Sequence, residues 1–224
     1  PIDGPYIGRF RRLAELLKTN LCFGFAERID KEVYNTALFI GNDGEIYGKQ
    51  HKTQLAEGTD ESWNFNRVGK EIRAFDTPVG RVGILICNDR WNPRIARTQV
   101  LDGARILLIP SYGSKTREQN QMVMRRAREN GVPVVNANVG MNLIISKGEV
   151  VGYAWGNDKI TSAIIQVPEA VSKRAARISE NEYMVLQSPE MERRYIETMK
   201  RLRGQENLVD RASRGHLVAC EPKQ

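Results

Sequence analysis

Hydrophobic positions along the chain switch repeatedly between a spacing near 3.6 and a spacing of two, which predicts alternating helices and strands. Phe10, Leu13, Leu16 and Leu17 share one helical face, and Asn20 can close that helix. Leu21, Phe23 and Phe25 then alternate as a strand. Residues 35–40 and 45–47 flank Asn42-Asp43-Gly44, a turn signal that predicts a hairpin. Residues 82–86 and 106–109 are continuous apolar runs, the pattern of buried strands. A helix over about 118–130 stops at Gly131, and 132–138 returns as a strand. Residues 143–146, 150–155 and 161–167 read as antiparallel strands joined by turns at Lys147-Gly148 and Asn157-Asp158. Ser188 caps a last helix, with Pro189 in its first turn and Met191, Tyr195, Met199 and Leu202 on one face.

The 224 residues are 41% hydrophobic and 27% charged, enough for one sizeable core and not two. One α/β domain over 1–224 is therefore expected, with a core over 1–167 and a C-terminal extension over 168–224. The net charge of +7 is spread along the chain. Its densest cluster, Arg125, Arg126 and Arg128, lacks interleaved aromatics and reads as helix surface or an oligomer contact, so no nucleic acid is expected. Cysteines stand at 22, 87 and 220 with no CxxC spacing, and the two histidines, His51 and His216, are far apart, which argues against a structural metal site. Scattered thiols in odd number suit a reducing compartment, hence the cytoplasm. No run is long and apolar enough to span a bilayer, so no membrane partner is expected.

Cys87 closes the run 82–86 and is followed at once by Asn88-Asp89-Arg90-Trp91. A thiol thus stands where a buried strand gives way to polar loop, and in open α/β sheets ligands collect beyond the carboxyl ends of strands. A lone cysteine there is more often a small packed residue. Its company changes the reading. Lys49 leaves the predicted hairpin in Tyr47-Gly48-Lys49-Gln50-His51-Lys52, and Glu57 follows eight residues later. If the three converge, the ammonium favours the thiolate and steadies an oxyanion, while carboxylates move protons. Tyr112, in the loop Pro110-Ser111-Tyr112-Gly113 after the strand at 106–109, can line the same pocket. Spacing alone does not show convergence.

Four stretches resemble the nitrilase or carbon-nitrogen hydrolase superfamily. Gly24-Phe25-Ala26-Glu27-Arg28 with Tyr34-Asn35-Thr36-Ala37 looks like that family's central strand and hairpin, and Gly48-Lys49-Gln50-His51 like its lysine motif, usually Tyr-Arg-Lys-x-His. Residues 82–93 look like its nucleophile strand, and 126–131 with 134–138 like the helix and strand that follow. The resemblance implies an αββα sandwich of the α/β class, with no metal or organic cofactor, a small amide or carbamoyl substrate, and assembly as a homodimer or higher homo-oligomer. It implies Cys87 as nucleophile, Lys49 as catalytic lysine and Glu57 as a second, substrate-orienting glutamate. The backbone amide of Asn88 would join Lys49 in the oxyanion hole. The run Cys87-Asn88-Asp89-Arg90-Trp91 looks most like the N-carbamoyl amino acid amidohydrolase branch, in which case Arg90 is either a substrate contact or a salt-bridged structural residue.

The family's general base is normally a glutamate in a Pro-Glu pair ending an earlier strand. The chain opens at Pro1-Ile2-Asp3-Gly4-Pro5, which looks like the loop entering the family's second helix, so the expectation is that an opening strand-helix-strand unit, about 30 residues or more, is absent from these residues. Glu27 belongs to a different strand motif and reads as structural, paired with Arg28. Gly48 stands where Arg is usual, Lys52 where Leu is usual, and the loop at Val139-Gly140-Met141-Asn142 is shorter than in relatives. Two functions remain open. One is a hydrolase acting through a cysteine thioester with release of ammonia or amine; the other is a non-catalytic relative that keeps the fold for binding or assembly.

Overall fold

The computed structural model describes residues 1–55, 67–113 and 116–169, together with Arg193. Glu57, the helix expected after Ser188 and Cys220 lie outside the described residues. The chain divides into two compact units, Pro1–Ala170 and Val171–Gln224, and every element described below belongs to the first.

Two sheets face each other between helices. The first is an antiparallel meander of β1 (Leu21–Ile29), β2 (Glu32–Ile40) and β3 (Ile46–His51). The Asn42-Asp43-Gly44 turn joins β2 to β3 as its sequence predicts, with Gly44 at φ 80, a conformation that glycine adopts without cost. The second sheet runs β4 (Ala74–Thr77), β5 (Gly80–Ile84), β6 (Ile106–Ser111), β7 (Val134–Asn138), β8 (Met141–Ser146) and β9 (Glu149–Trp155) in spatial order. Its central strands β5, β6 and β7 are parallel, so all three deliver their carboxyl ends to one edge.

Three apolar clusters hold the layers. Ala37 and Phe39 of β2 pack on Val82, Ile84, Ile86 and Ile106, which joins sheet to sheet. On the far face of the second sheet, Leu85, Leu107, Ile109 and Val134 pack on Ile95 and Ala96 of α2 (Pro93–Leu101) and on Val123 and Ala127 of α3 (Arg117–Asn130). Ile7 and Ala14 of α1 (Pro5–Leu17) cover Leu38 and Ile40 of the first sheet. The order α1, sheet, sheet, α2 with α3 is the αββα sandwich.

Two expectations change. On the expected face of α1 only Phe10 finds a partner, its ring packing on Phe23 with centroids 4.4 Å apart, while Leu16 is 79% exposed and Leu13 and Leu17 are exposed too. The buried positions are Ile7 and Ala14, seven apart on one face, and between them the part-exposed Arg11 donates from Nε to the Gly44 carbonyl at 2.7 Å, which ties the helix to the β2–β3 turn. Residues 161–167 form no strand: Ile164 is fully exposed, while Ile165 and Val167 lean on the cluster between the sheets without a ladder partner. No helix among the described residues is long and apolar enough to cross a membrane.

Candidate active site

Cys87 follows β5 and opens a short 3₁₀ turn, Cys87–Trp91. Its φ is 48, in the left-handed region that a cysteine enters only when its surroundings force it. Asp89, 1% exposed, supplies that force. Its Oδ2 accepts the Ile86 N–H at 2.9 Å, closing the turn on itself. Its Oδ1 accepts the Gln54 N–H at 2.8 Å and the Thr53 hydroxyl at 3.3 Å, which ties the turn to the segment leaving β3. Burial pushes the Asp89 carboxyl above its ordinary range, and the N–H groups of Gln54 and Ile86, with the nearby Lys52 charge, hold that shift back.

The thiol opens on a cavity of about 600 Å³. Phe23, Phe25, Val33, Ile86, Pro110 and Ala137 give it apolar walls, and Arg28, Asn35, Lys52, Ser111 and Tyr112 bring polar atoms. Lys52 is 2% exposed, and burial pushes its ammonium down while Cys87 and Asp89 pull it back up. Arg28, expected to pair with Glu27, lines this cavity instead. Tyr112 lines it too, and its carbonyl accepts from Cys87 Sγ at 3.8 Å. Cys22 is on the same wall, its thiol pushed up to about 12 by burial.

Lys49 is not in this cavity. Along β3 side chains alternate, and Lys49 sits opposite Leu38, on the face that α1 covers. Its Nζ donates to Glu27 Oε1 at 3.1 Å. His51 Nε2 donates to Glu27 Oε2 at 2.8 Å, and the Thr36 hydroxyl donates to the same oxygen at 3.0 Å. The His51 ring stacks on Tyr34 with centroids 4.2 Å apart. Lys49 and His51 border a second cavity of about 330 Å³, lined also by Tyr34, Gln50 and Phe75.

Of the residues singled out in the sequence, the structure brings Cys87 and Tyr112 together and leaves Lys49 apart from them. Asn88 is not among the residues that line the cavity, and its side-chain amide donates to the Leu55 carbonyl at 3.2 Å. Arg90 is 1% exposed and is not among the residues that line the cavity. Among the described residues it makes no salt bridge: its Nη1 donates to Ser111 Oγ at 2.9 Å and its Nη2 to Gln119 Oε1 at 3.0 Å, both neutral. Lys52 and Asp89 were not read as site residues. A lysine in place of the family's usual leucine was the visible sign for the first; the second gave none. No group of three or more His, Cys, Asp or Glu side chains able to hold a metal occurs among the described residues.

Compared with known proteins, residues 1–186 match the family model described as carbon-nitrogen hydrolase. The chain is 33% identical over 143 residues to an N-carbamoylputrescine amidase from Oryza sativa subsp. japonica, covering 62% of this chain and 46% of the relative. It is 31% identical over 148 residues to a citrullinase from Francisella tularensis subsp. tularensis, covering 61% and 51%. The chain thus spans about half the length of the curated relatives it matches. Among solved structures, a carbon-nitrogen hydrolase from Helicobacter pylori G27 superposes with a TM-score of 0.65 at 24% identity, covering 81% of this chain and 72% of that one. That likeness establishes the nitrilase-type sandwich.

Proposed function

Since the chain belongs to the carbon-nitrogen hydrolase family, matched over residues 1–186, we propose that it carries the nucleophile of an enzyme that hydrolyses an amide or N-carbamoyl C–N bond. The observation that carries this reading is the Cys87 thiol, held at positive φ beyond the carboxyl end of β5 and opening on a cavity that also holds buried Lys52. Relatives named for N-carbamoylputrescine support the carbamoyl arm.

In the first step the Cys87 thiolate attacks the carbonyl carbon, forming a C–S bond and a tetrahedral oxyanion. The Asn88 backbone N–H and a lysine ammonium are the groups to steady that oxygen. Collapse breaks the C–N bond, and the nitrogen leaves as ammonia or amine after taking a proton. Water then cleaves the thioester, returning the thiol and giving the acid. That water needs a base, and no carboxylate lines the cavity among the described residues. The family resemblance assigns this role to a glutamate in a Pro-Glu pair ending an earlier strand of the fold, and the orienting role to Glu57.

The lysine has two candidates. Lys49 holds the position of the family motif, and Lys52 holds the position beside the thiol. The chain's length fits one domain over 1–224 and its scattered thiols fit the cytoplasm, and by the same resemblance it works as a homo-oligomer. The test is ammonia release from simple amides and N-carbamoyl amino acids. Release abolished by Cys87→Ala supports the reading, and release indifferent to that substitution overturns it.

A further inference from the structure

Among the described residues, Arg90 is a buried cation without a buried anion. Its guanidinium is 1% exposed, yet its oxygen partners are the hydroxyl of Ser111 and the side-chain amides of Asn136, at 3.3 Å, and Gln119. Its Nε has no hydrogen-bond partner among the described residues. No ion pair joins Arg90 to a carboxylate among the described residues, and taking an unpaired guanidinium out of water is costly. One group in contact with it can become an anion. Arg90 Nη2 lies 3.8 Å from Cys87 Sγ, within hydrogen-bond range for sulfur.

We propose that Arg90 is the built-in counter-charge of the Cys87 thiolate, placed behind the sulfur on the side away from substrate. The proposal rests on the reading of Cys87 as nucleophile and adds the group that keeps it ionised. As a thiol, Cys87 donates to the Tyr112 carbonyl at 3.8 Å. Once its proton has passed to water, the sulfur has nothing to donate and accepts the Arg90 Nη2–H instead. Ser111, Asn136 and Gln119 come from β6, β7 and α3, so the guanidinium is fixed from three elements before the sulfur ionises. Gly113 keeps the contact open: a Cβ there would stand 3.2 Å from Arg90 Nη2 and 3.4 Å from Cys87 Sγ.

Other charged or titratable groups face the sulfur from every side. Lys52 and Arg28 border the cavity with the Cys22 thiol and Tyr112. Asp89 spends its oxygens on Ile86, Gln54 and Thr53. Lys52 is the competing source of positive charge, but burial disfavours its ammonium, whereas a guanidinium keeps its proton in any protein setting.

The first experiment reads charge at the sulfur position without touching Arg90. Cys87→Asp and Cys87→Asn are nearly isosteric, and both residues tolerate positive φ, so they differ mainly in charge. The aspartate variant is expected to melt above the asparagine variant at neutral pH, with the gap closing in acid and persisting when Lys52→Met is added. An asparagine variant that melts as high or higher overturns the proposal, as does a gap that vanishes with Lys52→Met. The second experiment follows iodoacetamide labelling of Cys87 against pH, read by peptide mass spectrometry so that Cys22 and Cys220 are counted apart. In Arg90→Gln the labelling midpoint should move up and the rate at neutral pH fall about tenfold, with Arg90→Lys recovering part of the loss. A midpoint unchanged in folded Arg90→Gln overturns the proposal. Neither readout depends on amide turnover, so the proposal can fail while the hydrolase reading stands, and the reverse.

Discussion

Gln54 donates its backbone N–H to Asp89 Oδ1 at 2.8 Å, joining the end of the lysine-bearing strand to the nucleophile turn. The other Asp89 oxygen accepts from Ile86, so one carboxylate fixes both the shape of the turn and its distance from Lys52. Asp89→Asn keeps the volume but puts an N–H donor against a donor at one of these sites. An unmet buried N–H costs about 1–3 kcal/mol, and that loss of unfolding free energy is expected in denaturant titration. Labelling of Cys87 should slow as well, because the turn and Lys52 lose their common anchor. Unchanged stability would mean the carboxylate is not the tie.

The two lysines separate cleanly by substitution. Lys52→Met replaces a buried ammonium with a side chain of similar length, so stability should hold or rise while labelling of Cys87 at neutral pH falls. Lys49→Met takes a donor from Glu27, which is 1% exposed, and should cost about 1–3 kcal/mol with little effect on the thiol. The reverse pattern would return the catalytic part to Lys49.

Much of this architecture was legible in the sequence because its signals are local. Asn42-Asp43-Gly44 made the hairpin, the run at 82–86 made β5 and the turn after it, and Gly131 at φ 66 ended α3 as expected. What could not be read was direction. Spacing placed Lys49 near the right strand end, but the face it takes depends on which side of β2 meets α1 and which meets the second sheet. The surroundings of Arg90 were equally hidden, since its partners come from 21 to 46 positions further along the chain. The outward face of α1 looked like a core stripe because periodicity shows that a face is apolar, not that it is covered.

Gly48 shows why the lysine motif departs from the family's usual arginine. A Cβ at that position would lie 2.7 Å from Phe75 Cγ, in the contact between β3 and β4. Gly48→Ala must therefore displace the ring, at a cost of about 1–3 kcal/mol typical of overpacked cores. Phe75→Ala combined with Gly48→Ala should show a coupling in a double-mutant cycle, the second change costing less when the first is present. Additive losses would mean the two positions do not share space.

Glu27 makes the fold sensitive to acid. Burial pushes its carboxyl up, but hydrogen bonds from His51, Lys49 and Thr36, with the Lys49 charge, outweigh that and hold it below its ordinary range. A carboxyl with a lowered folded value favours the fold while ionised. Its contribution is complete above the ordinary carboxylate range and disappears as pH falls through the lowered value. Asp89 acts with the opposite sign, because its folded value is raised: its contribution is present below the ordinary range and is lost as pH rises through the raised value. The total acid profile therefore mixes both, and the informative quantity is the difference between the native protein and Glu27→Gln. That variant should melt lower at neutral pH, and the gap should narrow as the solution is acidified through the carboxylate range, measured by thermal midpoints in buffers of constant ionic strength. A gap that stays constant through that range would show that Glu27 does not titrate in the folded protein, and that its ties to Lys49, His51 and Thr36 stabilise by packing instead of by charge.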